Sequence, residues 1–318
     1  MKRNKLGGTG IEVSAIGFGA LPIGFHQLDL AVDEGAGLVR YALERGISFI
    51  DSAEYYRTYP YIRAALKGGG FAPVISTKSL RHDRAGMAQA VEEARSGLDR
   101  DVIDVFLLHE VRHGGDFARR RGAWEYLLEA KAKGLIRAAG ISTHHTDVAL
   151  EAALNPEVDA LFALINHKSL GIRKGDGPGS KEEMAEAIDA ASGRGAGVYA
   201  MKALGGGNLL GDYAEALDYV RDLPGVASTV VGFGARHEID RIAEYAEGRL
   251  DKGYKPDTSR KRFRVVQGDC AGCGLCVARC PGGAIFYNSS GLAEVDQGSC
   301  LQCGYCAPVC PTRALVFY

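Results

Sequence analysis

The sequence predicts an α/β protein: a (β/α)8 TIM barrel with an N-terminal hairpin, followed by a small α+β domain. Three observations predict this architecture. Short apolar runs alternate with longer helical patterns through residue 250, as in repeated parallel strand–helix units. Eight such repeats in about 250 residues match a closed barrel better than an open doubly wound sheet. All eight cysteines lie between residues 270 and 310, which marks the tail as a separate unit.

The elements follow one another in a regular order. The predicted strands are Ala15–Ala20, Ile47–Ala53, Val74–Lys78, Val105–His109, Ala138–Thr143, Leu161–Asn166, Val198–Lys202 and Thr229–Gly232. The clearest helices between and after them are Arg84–Leu98, Arg121–Lys133, Lys181–Ser192 and His237–Gly248. No G-x-G-x-x-G run opens a helix after the first strand, which counts against a Rossmann domain.

The domain boundaries are predicted from composition. We expect residues 1–250 to form the barrel, 251–262 a linker, and 263–318 the tail domain. The linker is polar and contains a proline, which is typical of a connection between domains. Its basic cluster from Arg260 to Arg264 is interpreted as a solvated junction, with attraction of an acidic electron partner as the alternative.

Composition excludes several classes of function. The 318 residues are 24% charged and 46% apolar, as in an ordinary soluble protein. The formal net charge of −1 gives no case for nucleic-acid binding. No apolar run approaches the roughly 18 residues of a membrane span. The first residues are basic but lack the apolar core of a signal peptide, so we expect a cytoplasmic protein.

The cysteines form one spacing that occurs twice. The two runs are Cys270-x2-Cys273-x2-Cys276-x3-Cys280-Pro281 and Cys300-x2-Cys303-x2-Cys306-x3-Cys310-Pro311. This is the bacterial run for two 4Fe–4S clusters, in which the fourth cysteine of each run binds the other cluster. The predicted ligands of the first cluster are Cys270, Cys273, Cys276 and Cys310, and those of the second are Cys300, Cys303, Cys306 and Cys280.

Zinc and disulfides are the alternatives for these cysteines. A zinc site takes four ligands and does not need a duplicated fourth cysteine followed by proline. Disulfides need an oxidising compartment, which nothing in the sequence suggests. Residues 262–318 resemble a bacterial two-cluster ferredoxin. Because so short a segment buries little core, we expect the clusters to hold it folded.

Four polar residues fall where a barrel carries its chemistry, at the C-terminal ends of strands and in the loops that follow. Asp51, Lys78 and His109 end three consecutive predicted strands, and Tyr56 follows Asp51 in the next loop. Taken one at a time, Asp51 could cap a helix, Lys78 could form a salt bridge at the barrel mouth, and His109 could be a buried histidine with its hydrogen bonds satisfied. Together they would converge on one mouth of the barrel.

These residue types suit proton transfer to a carbonyl. A phenol has a pKa of about 10, too high for an efficient proton donor near neutrality. We expect the ammonium of Lys78 to lower the pKa of Tyr56, and Asp51 to keep Lys78 charged. His109 would hydrogen-bond the substrate carbonyl. Tyr56 would then protonate the oxygen while a hydride reaches the carbon.

The barrel resembles the aldo-keto reductases. The matching segments are Lys5–Gly19, Asp51–Tyr56, and Trp124–Glu125 through to the run Lys133–Ser142. The resemblance spans about residues 1–250. It implies a catalytic tetrad of Asp51, Tyr56, Lys78 and His109, and a hairpin at residues 2–14 across the barrel floor.

The resemblance also implies a nicotinamide cofactor, NADPH or NADH. Positions that match the family's nicotinamide and pyrophosphate contacts are Ser142, Thr143, Asn166, Met201, Leu204 and Gly206. Those that match its grip on the 2′-phosphate are Arg236, Arg241 and Glu244. Tyr245 stands where the family has asparagine, and Met201 where many members have an aromatic residue.

The sequence therefore predicts a cytoplasmic oxidoreductase that interconverts a small carbonyl and an alcohol by hydride transfer from NAD(P)H. Tyr56 would be the general acid/base, and the clusters would relay electrons, with a ferredoxin- or flavodoxin-type protein as a possible partner. Two alternatives stay open. One is a reductase driven by its clusters or by ferredoxin without nicotinamide. The other is a non-catalytic electron carrier or redox-sensing protein.

Overall fold

The structure, a computed structural model, describes residues 1–112, 114–251, 253–257, 262–280, 282–300, 306–307, 309–312 and 314–317. Residues 260 and 261 of the predicted basic cluster lie outside them. In chain order the first twelve strands are β1 (Arg3–Lys5), β2 (Glu12–Ser14), β3 (Ile16–Gly19), β4 (Phe49–Asp51), β5 (Val74–Ser79), β6 (Ile103–Leu108), β7 (Ile136–Thr143), β8 (Ala160–Leu164), β9 (Arg173–Lys174), β10 (Gly177–Pro178), β11 (Gly197–Met201) and β12 (Val226–Gly232).

Eight of these strands, β3 to β8 with β11 and β12, close a parallel barrel in sequence order. The helices of this part are α1 (Val32–Glu44), α2 (Tyr59–Leu66), α3 (Arg84–Leu98), α4 (Gly114–Arg119), α5 (Arg121–Ala132), α6 (Thr146–Leu154), α7 (Lys181–Gly193), α8 (Tyr213–Arg221) and α9 (Arg236–Ala246). The predicted barrel is confirmed, with strand ends shifted by a few residues. The small hairpin of β9 and β10 was not predicted.

Local chemistry explains several of these elements. Asp83 precedes α3 and accepts a hydrogen bond from the backbone N–H of Gly86, and Ser180 forms a capping box with Glu183 at the start of α7. Gly140 in β7 packs so closely on β8 that a Cβ there would lie 2.0 Å from the carbonyl oxygen of Ala160. A side chain at this position would therefore force the two strands apart.

Buried side chains from distant parts of the sequence fill the barrel interior. Phe49, Phe162 and Tyr199 pack inside it, with Tyr199 stacked on Phe162 at 4.3 Å between ring centres. Leu6 and Ile11 of the N-terminal hairpin belong to the same buried cluster. The hairpin therefore closes the floor of the barrel, and the opposite, C-terminal mouth is left for chemistry.

The tail forms a small α+β unit with its own core. Its elements are β13 (Phe263–Val265), α10 (Leu275–Arg279), β14 (Ile285–Tyr287), β15 (Ala293–Val295) and β16 (Leu315–Phe317). The first strand pairs with the last, and β14 pairs with β15, both antiparallel. Cys276, Cys306 and Cys310 are buried in this core. Within the described ranges, no helix is long and apolar enough to cross a membrane.

Candidate active site and cluster sites

The four predicted residues of the tetrad lie together at the C-terminal mouth. Asp51 ends β4, Lys78 is the penultimate residue of β5, and His109 directly follows β6. Tyr56 ends the 3-10 turn Glu54–Tyr56 that follows β4. Because parallel strands of a barrel all end on the same side, this placement follows from the topology.

Asp51 and Lys78 form a buried ion pair. The Lys78 ammonium donates to Asp51 Oδ2 at 2.6 Å and to the carbonyl oxygen of Ser52 at 2.7 Å. Their side chains are only 4% and 1% exposed. Burial raises the pKa of Asp51 and lowers that of Lys78, while their mutual attraction works in the opposite direction for both. The pair fixes the position of a cation at the mouth.

Tyr56 lies between Lys78 and His109. The Lys78 ammonium is 4.9 Å from the centre of the Tyr56 ring, and the His109 ring meets it edge-on at 5.6 Å. Burial, then the charges of Asp51 and Glu110, raise the pKa of Tyr56 well above 10. The expected net lowering of this pKa was therefore wrong, because burial and nearby carboxylates outweigh the attraction of the Lys78 ammonium.

His109 is neutral in this environment. Burial, then the charge of Lys78, lower its pKa well below 6.5, so it holds one ring proton at neutral pH. Among the described residues, His109 Nδ1 and Asp51 Oδ1 are buried without a hydrogen-bond partner. Buried polar atoms rarely stay unpaired, and such exceptions at a mouth fit contact with water or a bound molecule.

A buried arginine supports this arrangement. Arg120 is 1% exposed and donates to the carbonyl oxygens of His109 and Ser79, each at 2.9 Å. It therefore ties the end of β5 to the end of β6 from behind the site. Sequence reasoning missed it, because the run Arg119–Arg121 looks like a solvated helix face. No local signal distinguishes the one arginine that turns inward.

The predicted nicotinamide contacts are partly engaged within the chain. Ser142 Oγ accepts from the Glu110 N–H at 2.8 Å, which leaves its hydroxyl hydrogen to donate. Thr143 Oγ1 donates to the Val111 carbonyl at 2.6 Å. Asn166 uses both ends of its amide on the backbone of Leu170. Of these three side chains, Ser142 best fits a nicotinamide carboxamide.

The segment after β11 lines the mouth with unusual backbone. Met201 ends β11 and is half-buried, and Lys202 adopts a left-handed conformation with φ 58°. Strained positions of this kind concentrate at functional sites. Leu204 and Gly206 follow in a turn, and a Cβ on Gly206 would meet nothing within 4 Å. The turn therefore has open space beside it, and Lys202 was not predicted.

The predicted phosphate contacts have partners within the chain itself. Arg241 pairs with Glu244 at 2.7 Å, and the Arg236 guanidinium lies 5.1 Å from the centre of the Tyr41 ring. The N–H groups of residues 234 and 235, at the start of α9, both donate to Glu238 Oε2. A carboxylate therefore occupies the place where a helix N-terminus would bind phosphate. The nicotinamide end fits the predicted cofactor better than the 2′-phosphate end.

The four cysteines predicted for the first cluster surround one cavity. Cys270, Cys273, Cys276 and Cys310 all line this cavity in the tail domain. Burial, then the neighbouring Cys310, raise the pKa of Cys276, so four thiols this close need a bound cation to ionise together. This donor set and cavity fit an iron–sulfur cluster.

The second predicted site is described in part. Cys280, Cys300 and Cys306 all pack in the core of the tail domain, and Cys280 Sγ accepts from the Ala284 N–H at 3.2 Å. Cys303 lies outside the described residues. The seven described cysteines are all free of disulfides. A thiolate that accepts backbone N–H bonds is typical of cluster ligands.

Comparisons with known proteins agree with these observations. A model of the aldo/keto reductase family matches residues 15–223, and a model of the 4Fe-4S dicluster domain matches residues 269–314. An L-galactose dehydrogenase of Arabidopsis thaliana is 30% identical over 124 residues, which are 34% of this chain and 38% of that protein. A 6-dehydroglucose reductase of Novosphingobium aromaticivorans is 28% identical over 262 residues, 72% of this chain and 80% of that protein.

A solved structure shows the same fold. The holo form of an aldo-keto reductase from Bacillus halodurans superposes with a TM-score of 0.64 at 20% identity, covering 82% of this chain and 99% of that one. At this identity the likeness shows the fold alone. The match to the plant dehydrogenase spans less than half of that protein's length.

Proposed function

Because the chain belongs to the aldo/keto reductase family and carries a 4Fe-4S dicluster domain, we propose that it interconverts a small carbonyl compound and its alcohol. The observation that carries this proposal is the convergence of Asp51, Tyr56, Lys78 and His109 at one barrel mouth. The buried ion pair and the two rings form a single cluster there.

In the reducing direction we assign the proton to Tyr56. A hydride forms the new C–H bond, the carbonyl π bond breaks onto oxygen, and the Tyr56 hydroxyl supplies the proton of the new O–H bond. Neutral His109 donates a hydrogen bond to the carbonyl oxygen. Lys78, held by Asp51, stabilises the phenolate that Tyr56 becomes, so its charge acts where negative charge develops.

The proposed hydride donor is NADPH or NADH, whose nicotinamide would supply the hydride when bound. Ser142 would donate its hydroxyl hydrogen to the carboxamide, and half-buried Met201 would pack against the ring. Thr143, Asn166, Leu204 and Gly206 would then shape the mouth around it. Arg236, Arg241 and Glu244 stay candidates for the adenosine end.

The clusters are proposed to bind the two cysteine sets predicted above and would pass single electrons when bound.

A second candidate function follows from where the dicluster domain lies. A Cβ on Gly268, two residues before Cys270, would lie 2.6 Å from Tyr55 Oη, and Tyr55 adjoins Tyr56. This nearness favours a reductase that receives electrons through the clusters from a cytoplasmic ferredoxin- or flavodoxin-type protein, without nicotinamide.

The substrate class is proposed from the relatives and the mouth. The names of two relatives describe activity on sugars or sugar derivatives. Ionisable groups, including Glu110 and Lys202, surround the tetrad. We therefore propose a small carbonyl compound that carries hydroxyl groups.

The test is Tyr56→Phe. We expect kcat for carbonyl reduction to fall by roughly 10² to 10⁴, the usual worth of positioned proton transfer, while the Kd for NADPH stays unchanged. Tyr59→Phe is the matched control, because the Tyr59 hydroxyl bonds to Thr77 Oγ1 at 2.8 Å, outside the tetrad. Full activity in Tyr56→Phe would remove the proposed role.

The two candidate electron sources are separated by one anaerobic experiment. Protein reduced with dithionite and freed of excess reductant is mixed with carbonyl alone, and the cluster absorbance is followed. Reoxidation without nicotinamide supports the cluster-driven reductase. Turnover only with NADPH or NADH, with clusters that stay reduced, supports the hydride donor.

A further inference from the structure

The dicluster domain lies over the mouth of the barrel. The Arg264 side chain in β13 donates to the carbonyl oxygen of Gln27, in the loop after β3, at 2.9 Å. Strand β16 lies beside the turn Gly205–Gly207 that follows β11. These contacts come from separate parts of the tail and reach the loops after β3 and β11, which have β12 between them in the barrel. The domain therefore lies against the end of the barrel where the tetrad sits.

The turn Gln267–Asp269 packs closely on the barrel at Gly268. A Cβ on this residue would lie 2.6 Å from Tyr55 Oη, so a larger residue there would push the turn and the Tyr55 hydroxyl apart. Tyr55 is itself held in place, because His26 stacks on its ring at 4.1 Å and bonds to its carbonyl oxygen at 2.7 Å. The turn therefore meets an ordered surface of the mouth.

Asp269 ends this turn and is half-buried against the same surface. Burial, then the charge of Glu110, raise the pKa of Asp269, while Lys202, Arg112 and His26 act in the opposite direction. All four lie in loops that follow barrel strands. Asp269 in turn helps to raise the pKa of Tyr55 and of Tyr56 in the tetrad. A side chain of the dicluster domain thus belongs to the electrostatic environment of the barrel site.

We propose that the turn Gln267–Asp269 forms one wall of the substrate pocket and that the Asp269 carboxylate binds a hydroxyl group of the substrate. The inference rests on the proposed carbonyl reduction. Each carboxylate oxygen accepts hydrogen bonds, so a substrate group that donates one, such as a hydroxyl, suits it as a partner. Hydrogen bonds to a charged acceptor are about twice as strong as neutral ones, so this contact discriminates between substrates.

The first test compares two aldehydes that differ only in hydroxyl groups, D-glyceraldehyde and propanal. In Asp269→Asn we expect kcat/KM for D-glyceraldehyde to fall about tenfold, the worth of one hydrogen bond to a charged group, and that for propanal to change less than about twofold. Glu294→Gln is the control, because it removes a carboxylate from an exposed position of the same domain. An equal loss for both aldehydes, or no loss, would overturn the role of Asp269.

The second test does not depend on turnover. Hydrogen exchange of the peptide covering residues 50–58 is measured by mass spectrometry in the full holo-protein and in Gly268→Val. We expect faster exchange in the variant, because the added side chain pushes the turn away from Tyr55. Arg264→Met, which removes the bond to Gln27, should act in the same direction if Gly268→Val fails to fold.

The two tests separate this inference from the proposed function. If the wild-type protein reduces neither aldehyde but hydrogen exchange rises in the variants, the proposed reduction of these aldehydes is wrong. The proposal that the turn Gln267–Asp269 forms a wall of the pocket is then still supported. Unchanged exchange in both variants, with full iron content, would overturn the wall whatever the activity. Iron content is measured for every variant, since Gly268 and Asp269 directly precede Cys270.

Discussion

Removing one member of the buried Asp51–Lys78 pair should destabilise the barrel more than removing both. Asp51→Asn would leave the Lys78 ammonium, 1% exposed, without a charged partner, because the Asn amide and the Ser52 carbonyl are both neutral. Breaking a buried ion pair from one side costs about 3–5 kcal/mol, because the other charge stays desolvated and uncompensated. We expect the free energy of unfolding to fall by that amount.

The double variant Asp51→Leu with Lys78→Met should recover most of this loss. It removes both charges together, and apolar replacement of a whole buried pair is often close to neutral. The neighbouring groups favour this outcome, since the Tyr56 and Phe162 rings face the Lys78 ammonium at 4.9 and 5.1 Å and would pack on a methionine. The double variant should be inactive but stable.

Urea unfolding followed by tryptophan fluorescence measures the barrel by itself. Trp124 is the single tryptophan of the chain and lies in α5, 3% exposed. The control is Glu125→Gln, which breaks an exposed pair with Arg121 whose side chains are 79% and 50% exposed. It should cost less than about 1 kcal/mol.

Two outcomes would refute this reasoning. If Asp51→Asn costs no more than the exposed control, burial does not penalise the unpaired ammonium. If the single and double variants lose equal stability, the pair contributes through specific packing rather than through compensated charge. Either result would also weaken the assignment of Lys78 as a fixed cation beside Tyr56.

The remaining predictions concern the metal and pH. Anaerobically prepared protein should hold about eight irons and eight acid-labile sulfides. Cys310→Ser should lose about half of this iron, whereas Thr312→Val, which changes the same cavity, should keep all of it. Zinc in place of iron would refute the cluster assignment. Because the pKa of Tyr56 is raised, its phenol stays protonated at neutral pH. The initial rate of carbonyl reduction should therefore be constant from about pH 6 to 9. The rate of alcohol oxidation, which needs the phenolate, should rise with pH. A reduction rate that fell across this range would contradict the raised pKa.

The sequence predicts the barrel well because its signals are local. Buried strands are apolar runs between helical stretches, and the polar residues that end them stand out against that background. Asp51, Lys78 and His109 could be found in this way, since a polar residue at the end of a buried run has few structural reasons to be there.

The rest of the site depends on contacts between distant segments. Arg120, between α4 and α5, becomes a positioning residue because it turns inward to bond His109 and Ser79, which no spacing in the sequence indicates. The direction of the Tyr56 pKa depends on total burial and on carboxylates far away in sequence. Asp269 reaches the mouth only because the dicluster domain docks there, so the sequence shows it as one more acidic residue before a cysteine.

The position of the dicluster domain bears on what the clusters do. A domain that only stiffened the chain could pack on any face of the barrel. This domain meets the barrel where Gly268 lies close to Tyr55. Gly268 is two residues before Cys270, and Tyr55 directly precedes Tyr56. The contact between Gly268 and Tyr55 offers one short path for an electron between the first cluster and the pocket. We therefore favour a role for the clusters in turnover, and Gly268→Val should slow cluster reoxidation by carbonyl or nicotinamide without loss of iron. Unchanged reoxidation, with the exchange of residues 50–58 clearly raised, would leave the domain as a wall of the pocket alone.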